Sequence, residues 1–204
     1  MTESADAFEI EQKFHVADPN SLESRLNQLG AREQPTEQHA DVYFNHPCRD
    51  FAQTHEALRV RYCNGIPMVT YKGTKLPGAV KARRELEWRL DPGDADGTQM
   101  QSLLSLLGFQ KVATVKKLRR VFSLTQDQAD FTVTIDDVQS LGWFAEVELL
   151  VQIPPEADLS ARDERIRAAR ERILGLAPKL GLHQDESRSY LRMLLSPPNA
   201  ASNI

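Results

Sequence analysis

The chain has 204 residues, of which 41% are hydrophobic and 26% are charged, so it can bury a core and does not have a disordered composition. Lys and Arg number 25 and Asp and Glu 29, and the resulting net charge of −4 argues against a general duplex-binding protein, which needs a basic surface. No apolar run approaches the ~20 residues of a membrane-spanning helix, the N-terminus has no signal-peptide pattern, and two cysteines cannot build a disulfide framework. We therefore expect a cytoplasmic protein without membrane or duplex nucleic-acid partners.

The predicted elements follow a polar tail at 1–7. Alternating apolar and polar residues predict strands, and apolar residues three and four positions apart predict helices. Strands are predicted at 8–16, 39–45, 57–63, 67–73, 82–90, 110–124, 130–138 and 143–153. Helices are predicted at 20–29, 98–107, 159–176 and 186–195, with Asn20 or Ser21 capping the first. Residues 8–195 thus form one predicted α+β domain with a mostly antiparallel sheet, and 196–204 form a frayed tail.

Several of these strands carry charged residues on one face, because residues two positions apart in a strand share a face. The carboxylates are Glu9, Glu11, Glu85, Glu87, Glu146 and Glu148. The cations are Lys13, Arg59, Arg61, Lys72, Arg83, Lys117 and Arg119. The opposite faces of the same strands are apolar.

Two arrangements of the sheet explain this pattern. In the first, the charged face is solvated and laced with cross-strand ion pairs, as in many half-buried antiparallel sheets. In the second, eight strands close into a barrel that has the charged face inside and can hold one small ligand. The dense Glu-x-Glu and Lys-x-Arg clusters favour the barrel. In that arrangement we expect Leu86, Trp88 and Leu118 to face outward under helices.

A charged barrel interior implies a highly charged ligand, because buried charges need partners. Carboxylate pairs are the oxygen ligands that Mg²⁺ or Mn²⁺ takes, and Mg²⁺ commonly bridges carboxylates and substrate phosphates. Arginine and lysine clusters clamp phosphate oxygens. A metal-bound polyphosphate therefore satisfies both sets of side chains.

At this point the residues resemble a known family. Glu9-Ile-Glu11-Gln-Lys13 is similar to the Glu-x-Glu-x-Lys signature of the CYTH group, the triphosphate tunnel metalloenzymes, which include class IV adenylate cyclases, thiamine triphosphatases and inorganic triphosphatases. The resemblance covers about Phe8 to Leu195. It continues at Asp41-Val-Tyr43-Phe44, Leu58-Arg59-Val-Arg61, Tyr71-Lys72-Gly73, Arg83-Arg-Glu85-Leu-Glu87, Lys117-Leu-Arg119, Ile135-Asp136, Leu141-Gly142-Trp-Phe144-Ala-Glu146-Val-Glu148 and Ser189-Tyr190-Leu191. It implies an eight-stranded antiparallel tunnel around a triphosphate.

The resemblance also implies roles for single residues. The implied metal ligands are Glu9, Glu11, Glu146 and Glu148, with Glu85, Glu87 and Asp136 as further candidates. The implied triphosphate clamp is Lys13, Arg59, Arg61, Lys72, Arg83, Lys117 and Arg119, of which Lys13, Lys72 and Arg119 are assigned to catalysis. Tyr43 and Tyr190 are expected to pack or cap the tunnel. Asp41 fits an ion pair as well as a site residue.

The reaction stays open between two alternatives. The segment from Leu141 to Glu148 and the Asp-x-Tyr-Phe motif are most similar to the class IV cyclase branch, which converts ATP to cyclic AMP and pyrophosphate. The intact Arg83-x-Glu85-x-Glu87 strand is at least as typical of members that hydrolyse tripolyphosphate, thiamine triphosphate or a nucleoside triphosphate. A binding module without turnover is a third hypothesis, against which the full carboxylate set argues. Both a monomer and a homodimer are compatible with the sequence.

Other motifs are absent from the sequence. It has no GxxxxGK[ST], GxGxxG or GxSxG pattern, so P-loop, Rossmann and α/β-hydrolase enzymes lack support. The five histidines show no HExxH or other zinc-ligand spacing, and we predict no metal role for them. Cys48 and Cys63 are expected to be structural or idle thiols.

Overall fold

Nine strands and five α-helices make up the part of the chain that the computed structural model describes, which is residues 6–74, 81–154 and 157–196. The strands are β1 (Asp6–His15), β2 (Arg32–Glu33), β3 (Glu37–Asn45), β4 (Ala57–Cys63), β5 (Ile66–Lys72), β6 (Lys81–Arg89), β7 (Gln110–Gln126), β8 (Ala129–Val138) and β9 (Gly142–Ile153). The helices are α1 (Pro19–Gln28), α2 (Phe51–Thr54), α3 (Thr98–Leu106), α4 (Leu159–Leu176) and α5 (Tyr190–Leu195). Most of each predicted tail, 1–5 and 197–204, lies outside the described residues.

Eight of the strands close into an antiparallel barrel. Their order around the barrel is β7-β3-β4-β5-β6-β1-β9-β8, and β8 pairs with β7 to complete the circle. The closure depends on the length of β7, whose residues 110–119 pair with β3 and whose residues 117–126 pair with β8. The predicted closed eight-stranded barrel is therefore confirmed. The ninth strand, β2, pairs with β7 outside it and is too short for the alternation pattern to predict.

Local sequence signals account for the element boundaries. The Asn64-Gly65 turn joins β4 to β5 with both residues at positive φ, as a two-residue hairpin requires. The first helix begins one residue earlier than predicted, because Asp18 accepts hydrogen bonds from the backbone of Asn20 and Ser21 and Pro19 occupies the first helical turn. The last helix begins at Tyr190 and not at 186, since residues 185–186 make backbone contacts with β1 instead.

The helices cover two sides of the barrel. Helix α4 packs on β9 and β1, and Ile173 belongs to one apolar cluster with the outward-facing Ile10 and Val147. A second apolar cluster joins Leu104 of α3 to Val42 and Val60. Short helix α5 packs against inward-facing residues at one end of the barrel. No helix within the described ranges is long and apolar enough to cross a membrane.

The prediction that helices cover Leu86, Trp88 and Leu118 is wrong. These residues face outward as expected, but their exposed fractions are 43%, 51% and 42%. Helix α4 lies on the β1–β9 side and α3 lies over β3 and β4, so no described helix packs over this part of β6 and β7. Alternation in the sequence indicates which face is apolar, but it does not indicate how much of that face the helices reach.

The packing under α4 yields a stability test. Ile173→Ala removes a fully buried side chain between α4 and the barrel, and it should lower the free energy of unfolding by about 2–5 kcal/mol. Leu174→Ala, one position along the same helix and 51% exposed, is the matched control and should change it by less than about 1 kcal/mol. Urea denaturation of both variants measures the difference. Equal losses in the two variants would contradict the placement of α4.

Candidate functional site

The charged strand faces point into the barrel and line a cavity of about 700 Å³. The cavity contains all seven predicted clamp cations, each of them buried, and all six carboxylates of the predicted strand faces. Glu87 is exposed at the edge of the cavity, whereas Glu11 and Glu146 are buried. This geometry excludes the solvated sheet, and the sequence-predicted residues are brought together in one place.

Asp41 on β3 anchors two of the cations. Its carboxylate accepts hydrogen bonds from Arg61 Nε at 2.7 Å and Arg61 Nη2 at 2.8 Å, and from Arg59 Nη1 at 3.3 Å. Burial by itself would raise the pKa of Asp41, but the charges of Arg59 and Arg61 hold that pKa well below its ordinary value. Asp41 is therefore an ion-pair residue that fixes the arginines, one of the two roles its sequence context left open.

Asp136 on β8 anchors two further cations, Lys117 and Arg119. It accepts from Arg119 Nε at 2.7 Å, Lys117 Nζ at 3.0 Å and the Tyr190 hydroxyl at 2.8 Å, and its side chain is fully buried. Burial opposes ionisation of Asp136, yet Arg119 and Lys117 lower its pKa. Its described contacts are thus with cations and a tyrosine, and its metal role stays a prediction.

Tyr190 and Lys13 lie next to Asp136 and contact each other. Lys13 Nζ lies 3.6 Å from the centroid of the Tyr190 ring, donates to the carbonyl of Arg188 at 3.2 Å and is 3.3 Å from Glu146. Tyr190 belongs to an apolar cluster with Phe144. It therefore packs at the base of the site, as expected, and holds Asp136 through its hydroxyl.

Three other carboxylates lie close to one another and form an acidic group. Glu9, Glu11 and Glu148 place one oxygen each within 4.8 Å of one another. Burial and, after it, the charge of Glu9 raise the pKa of Glu148 to about 8, and burial also raises the pKa of Glu9. Glu11 is buried and Glu9 and Glu148 are half-buried, and carboxylates held this close together suit a hard divalent cation such as Mg²⁺ or Mn²⁺, so these side chains fit a metal site of this type.

The other predicted ligands have different contacts. Glu146 pairs with Arg119 and Lys13, Glu85 pairs with Lys72, and Glu87 accepts a hydrogen bond from Thr70. These three carboxylates lie outside the group of three, although they line the same cavity. Their metal roles remain predictions.

Two buried guanidinium nitrogens of residues that line the cavity lack partners. Arg59 Nε and Arg83 Nε have no hydrogen-bond partner within the described ranges of the chain. Buried donors are usually satisfied, so their presence here indicates a ligand with several acceptor atoms. Sequence reasoning missed the buried Thr70, which lines the cavity, because a threonine within a strand gives no signal that separates a lining residue from a packing one.

Comparisons with known proteins agree with this geometry. The family profile described as CYTH domain matches residues 7–179. A Methanocaldococcus jannaschii protein named "Putative adenylate cyclase MJ0240" is 31% identical over 91% of this chain and 97% of its own length. The structure of PH1819 from Pyrococcus horikoshii has 33% identity and a TM-score of 0.76, and covers 92% of this chain and 98% of that one.

A more distant structure shares the fold. It comes from Hippeastrum and is described as an adenylyl cyclase candidate with a dominant triphosphatase activity. It has 18% identity and a TM-score of 0.61, and the alignment covers 93% of this chain and 95% of that one.

The raised pKa of Glu148 predicts a pH dependence for the metal-free protein. In the unfolded chain this carboxyl loses its proton near its ordinary pKa of 4.5, whereas in the native protein it does so near pH 8. The native state therefore binds more protons between these pH values, and Glu148 makes stability fall as pH rises through this window. Glu148→Gln should remove this contribution, so its stability relative to wild type should increase from pH 5 to pH 8.

Urea denaturation in EDTA at several pH values measures the effect. Glu171→Gln, at an exposed carboxylate of α4, is the control and should follow the wild-type curve. Parallel curves for wild type and Glu148→Gln would show that this carboxyl is not the one that resists ionisation.

Proposed function

Because the chain belongs to the CYTH domain family, we propose that it is a divalent-metal-dependent enzyme that binds the triphosphate group of a small organic substrate inside the barrel. The observation that supports this best is the cavity itself, where seven buried cations lie beside the acidic group of Glu9, Glu11 and Glu148. A triphosphate carries the negative charge that complements the cations, and a divalent metal ion bound to it carries the positive charge that complements the carboxylates.

The cations are held ready for such a ligand. Asp41 and Asp136 fix the guanidinium groups of Arg61 and Arg119 by two hydrogen bonds each, so these groups lose little freedom when phosphate oxygens arrive. The unpartnered Nε atoms of Arg59 and Arg83 provide further donors. Preorganised donors of this kind stabilise the charge that develops on a leaving phosphate group.

Glu9, Glu11 and Glu148 would hold Mg²⁺ or Mn²⁺. Such an ion neutralises phosphate oxygens and acts as a Lewis acid when bound. Lys72 on β5, whose Nζ lies 2.6 Å from a Glu9 carboxylate oxygen on β1, keeps that carboxylate in position across the intervening strand β6. The predicted catalytic side chains Lys13, Lys72 and Arg119 all border the cavity and are positioned to contact the phosphate chain.

The substrate we propose has an organic part. One end of the cavity, beside α2 and α5, is lined by apolar side chains, namely Phe51, Ala57, Val112, Leu191 and Leu195. A cavity of about 700 Å³ is within the range that holds a drug-sized molecule. Inorganic tripolyphosphate would leave this apolar end without a contact, whereas a nucleoside or thiamine group would cover it.

The first candidate reaction is cyclisation of ATP. It rests on the 31% identical relative named as an adenylate cyclase and on the resemblance of the segment from Leu141 to Glu148. The ribose 3′-hydroxyl would lose its proton to water as its oxygen forms a bond to the α-phosphorus. The bond between the α-phosphorus and the oxygen that bridges to the β-phosphate would break, and pyrophosphate would leave among the clamp cations. Triphosphate hydrolysis is the second candidate, favoured by Arg83, Glu85 and Glu87 on β6 and by the activity described for the Hippeastrum protein.

Product analysis distinguishes the candidates. The protein is incubated with ATP, thiamine triphosphate or tripolyphosphate and with Mg²⁺ or Mn²⁺, and the products are identified by phosphorus NMR. We expect turnover of an organic triphosphate, with cyclic AMP and pyrophosphate indicating the cyclase and orthophosphate indicating the hydrolase. Glu11→Gln should lower turnover by roughly 100-fold, and Glu171→Gln should leave it unchanged. Tight binding without turnover would instead indicate a binding module.

Ligand-induced stabilisation tests the clamp independently of turnover. Tripolyphosphate at a hundredfold excess over its dissociation constant should stabilise the protein by about 2.7 kcal/mol, or roughly 5–10 °C for a chain of this size. Arg59→Gln and Arg83→Gln should each reduce this shift, whereas Arg167→Gln on the exposed face of α4 should not. Equal shifts in all three variants, or equal shifts from orthophosphate and tripolyphosphate, would contradict the assigned clamp.

A further inference from the structure

A second group of potential metal ligands lies outside the cavity. One nitrogen of His39, Cys63 Sγ and one carboxylate oxygen of Glu37 lie within 4.8 Å of one another. We call these three residues the thiol–imidazole cluster. None of them lines the cavity that holds the predicted clamp and the acidic group.

The barrel register creates this cluster. His39 lies directly opposite Cys63 in the β3–β4 pair, and Glu37 precedes His39 by two positions on the same strand face. The cluster therefore sits where β3 begins and β4 ends. Helix α2 connects the other ends of these two strands, so the cluster lies at the opposite end of the barrel from α2.

The hairpin turn fixes the position of Cys63. Asn64 Oδ1 accepts a hydrogen bond from the backbone N–H of Gln38 at 2.8 Å, and the N–H of Asn64 donates to the carbonyl of Gln38 at 2.9 Å. Asn64 and Gly65 form the turn with positive φ at both positions. The thiol is thus held against His39 by the residues that flank both of them.

His39 has an unsatisfied nitrogen in this cluster. Its side chain is buried, its Nε2 lies 2.8 Å from a Glu37 carboxylate oxygen, and its Nδ1 has no hydrogen-bond partner within the described residues. The Nε2 of His39 and the carboxylate of Glu37 therefore already lie close enough together to be two ligands of one metal ion, and His39 would bind the ion through this nitrogen.

We propose that Glu37, His39 and Cys63 bind a thiophilic divalent cation, and that Zn²⁺ is the ion whose ligand preferences they match. Zinc takes thiolate, imidazole and carboxylate ligands at ~2.0–2.3 Å in a tetrahedral arrangement, so the donor atoms around a single ion lie ~3.3–3.8 Å apart. The three observed donor atoms require only small side-chain adjustments to reach this separation. Three protein ligands leave a fourth position for water.

Charge supports this choice of ion. Lys117 and Arg119 on β7 lie directly opposite His39 and Glu37, so a site with net positive charge would be repelled there. A thiolate and a carboxylate together cancel the charge of Zn²⁺ and leave the site neutral. The all-oxygen group of Glu9, Glu11 and Glu148 suits Mg²⁺ or Mn²⁺ instead, so the two donor sets would bind different ions.

Cobalt titration tests the proposal without relying on activity. Co²⁺ replaces Zn²⁺ in most sites and gives a sulfur-to-cobalt charge-transfer band only when a thiolate is bound. We expect the EDTA-treated protein to take up one Co²⁺ per chain with this band and to lose the band when Zn²⁺ is added. Cys48→Ser should keep the band, and because that variant contains no cysteine other than Cys63, the band would assign the ligand directly.

Further variants separate the cluster from the acidic group. Cys63→Ser should abolish the band, His39→Gln should weaken Co²⁺ binding at least tenfold, and Glu148→Gln should keep the wild-type band. Absence of a thiolate band in both wild type and Cys48→Ser overturns the proposal, whether or not the Cys63 and His39 variants fold. A band that disappears with Cys48→Ser and persists with Cys63→Ser overturns it as well.

Discussion

The burial of charge inside a closed barrel is the constraint on which this structure depends. A buried guanidinium or carboxylate is tolerated only when a partner and hydrogen bonds compensate for the lost water. Asp41 and Asp136 provide that compensation, each for two cations, and neither carboxylate has appreciable exposure. The two aspartates therefore determine where the positive charges of the interior lie and how rigidly they are held.

This constraint divides the acidic side chains into two kinds. Asp41 and Asp136 have lowered pKa values because cations surround them, whereas burial raises the pKa values of Glu9 and Glu148, and the charge of Glu9 adds to the rise at Glu148. The first kind is satisfied by the protein itself. The second kind resists ionisation in spite of the neighbouring Lys72 and Arg119, so a further cation or protons would stabilise it, and perturbed groups of this sort concentrate at functional sites. The electrostatics of the empty protein thus separate its structural carboxylates from those that we assign to a ligand.

The two-residue period of a strand was sufficient to predict the charged faces, because Glu9 and Glu11, and likewise Arg59 and Arg61, must lie on one face of their strand. Alternation alone left both the solvated sheet and the barrel open, and the number of strands, the dense charge clusters and the family resemblance favoured the barrel. Contacts that depend on register across strands were not predictable. The pairing of Asp41 with Arg61 and the approach of His39 to Cys63 depend on which residues of β3 and β4 lie opposite one another.

The parts of the barrel that the helices cover were also not predictable from the sequence. An apolar strand face predicts that something packs on it, as α4 does on β1 and β9, but Trp88 shows that an apolar outward residue can stay exposed. The extent of helix cover depends on loop lengths and on helix direction, which the pattern of a single strand does not contain.

The stretch of β7 at residues 117–119 joins barrel closure to the site. It is the only part of β7, among the described residues, that pairs with β3 on one side and with β8 on the other. Lys117 and Arg119 point inward from this stretch, and Arg119 lies directly opposite Asp136, which binds both of them. A shift of the register by one residue would turn both cations to the outside and leave the buried Asp136 carboxylate without a cation. The ion pairs therefore specify the register that closes the barrel, and the same register delivers two of the clamp cations, so closure and ligand binding depend on one set of contacts.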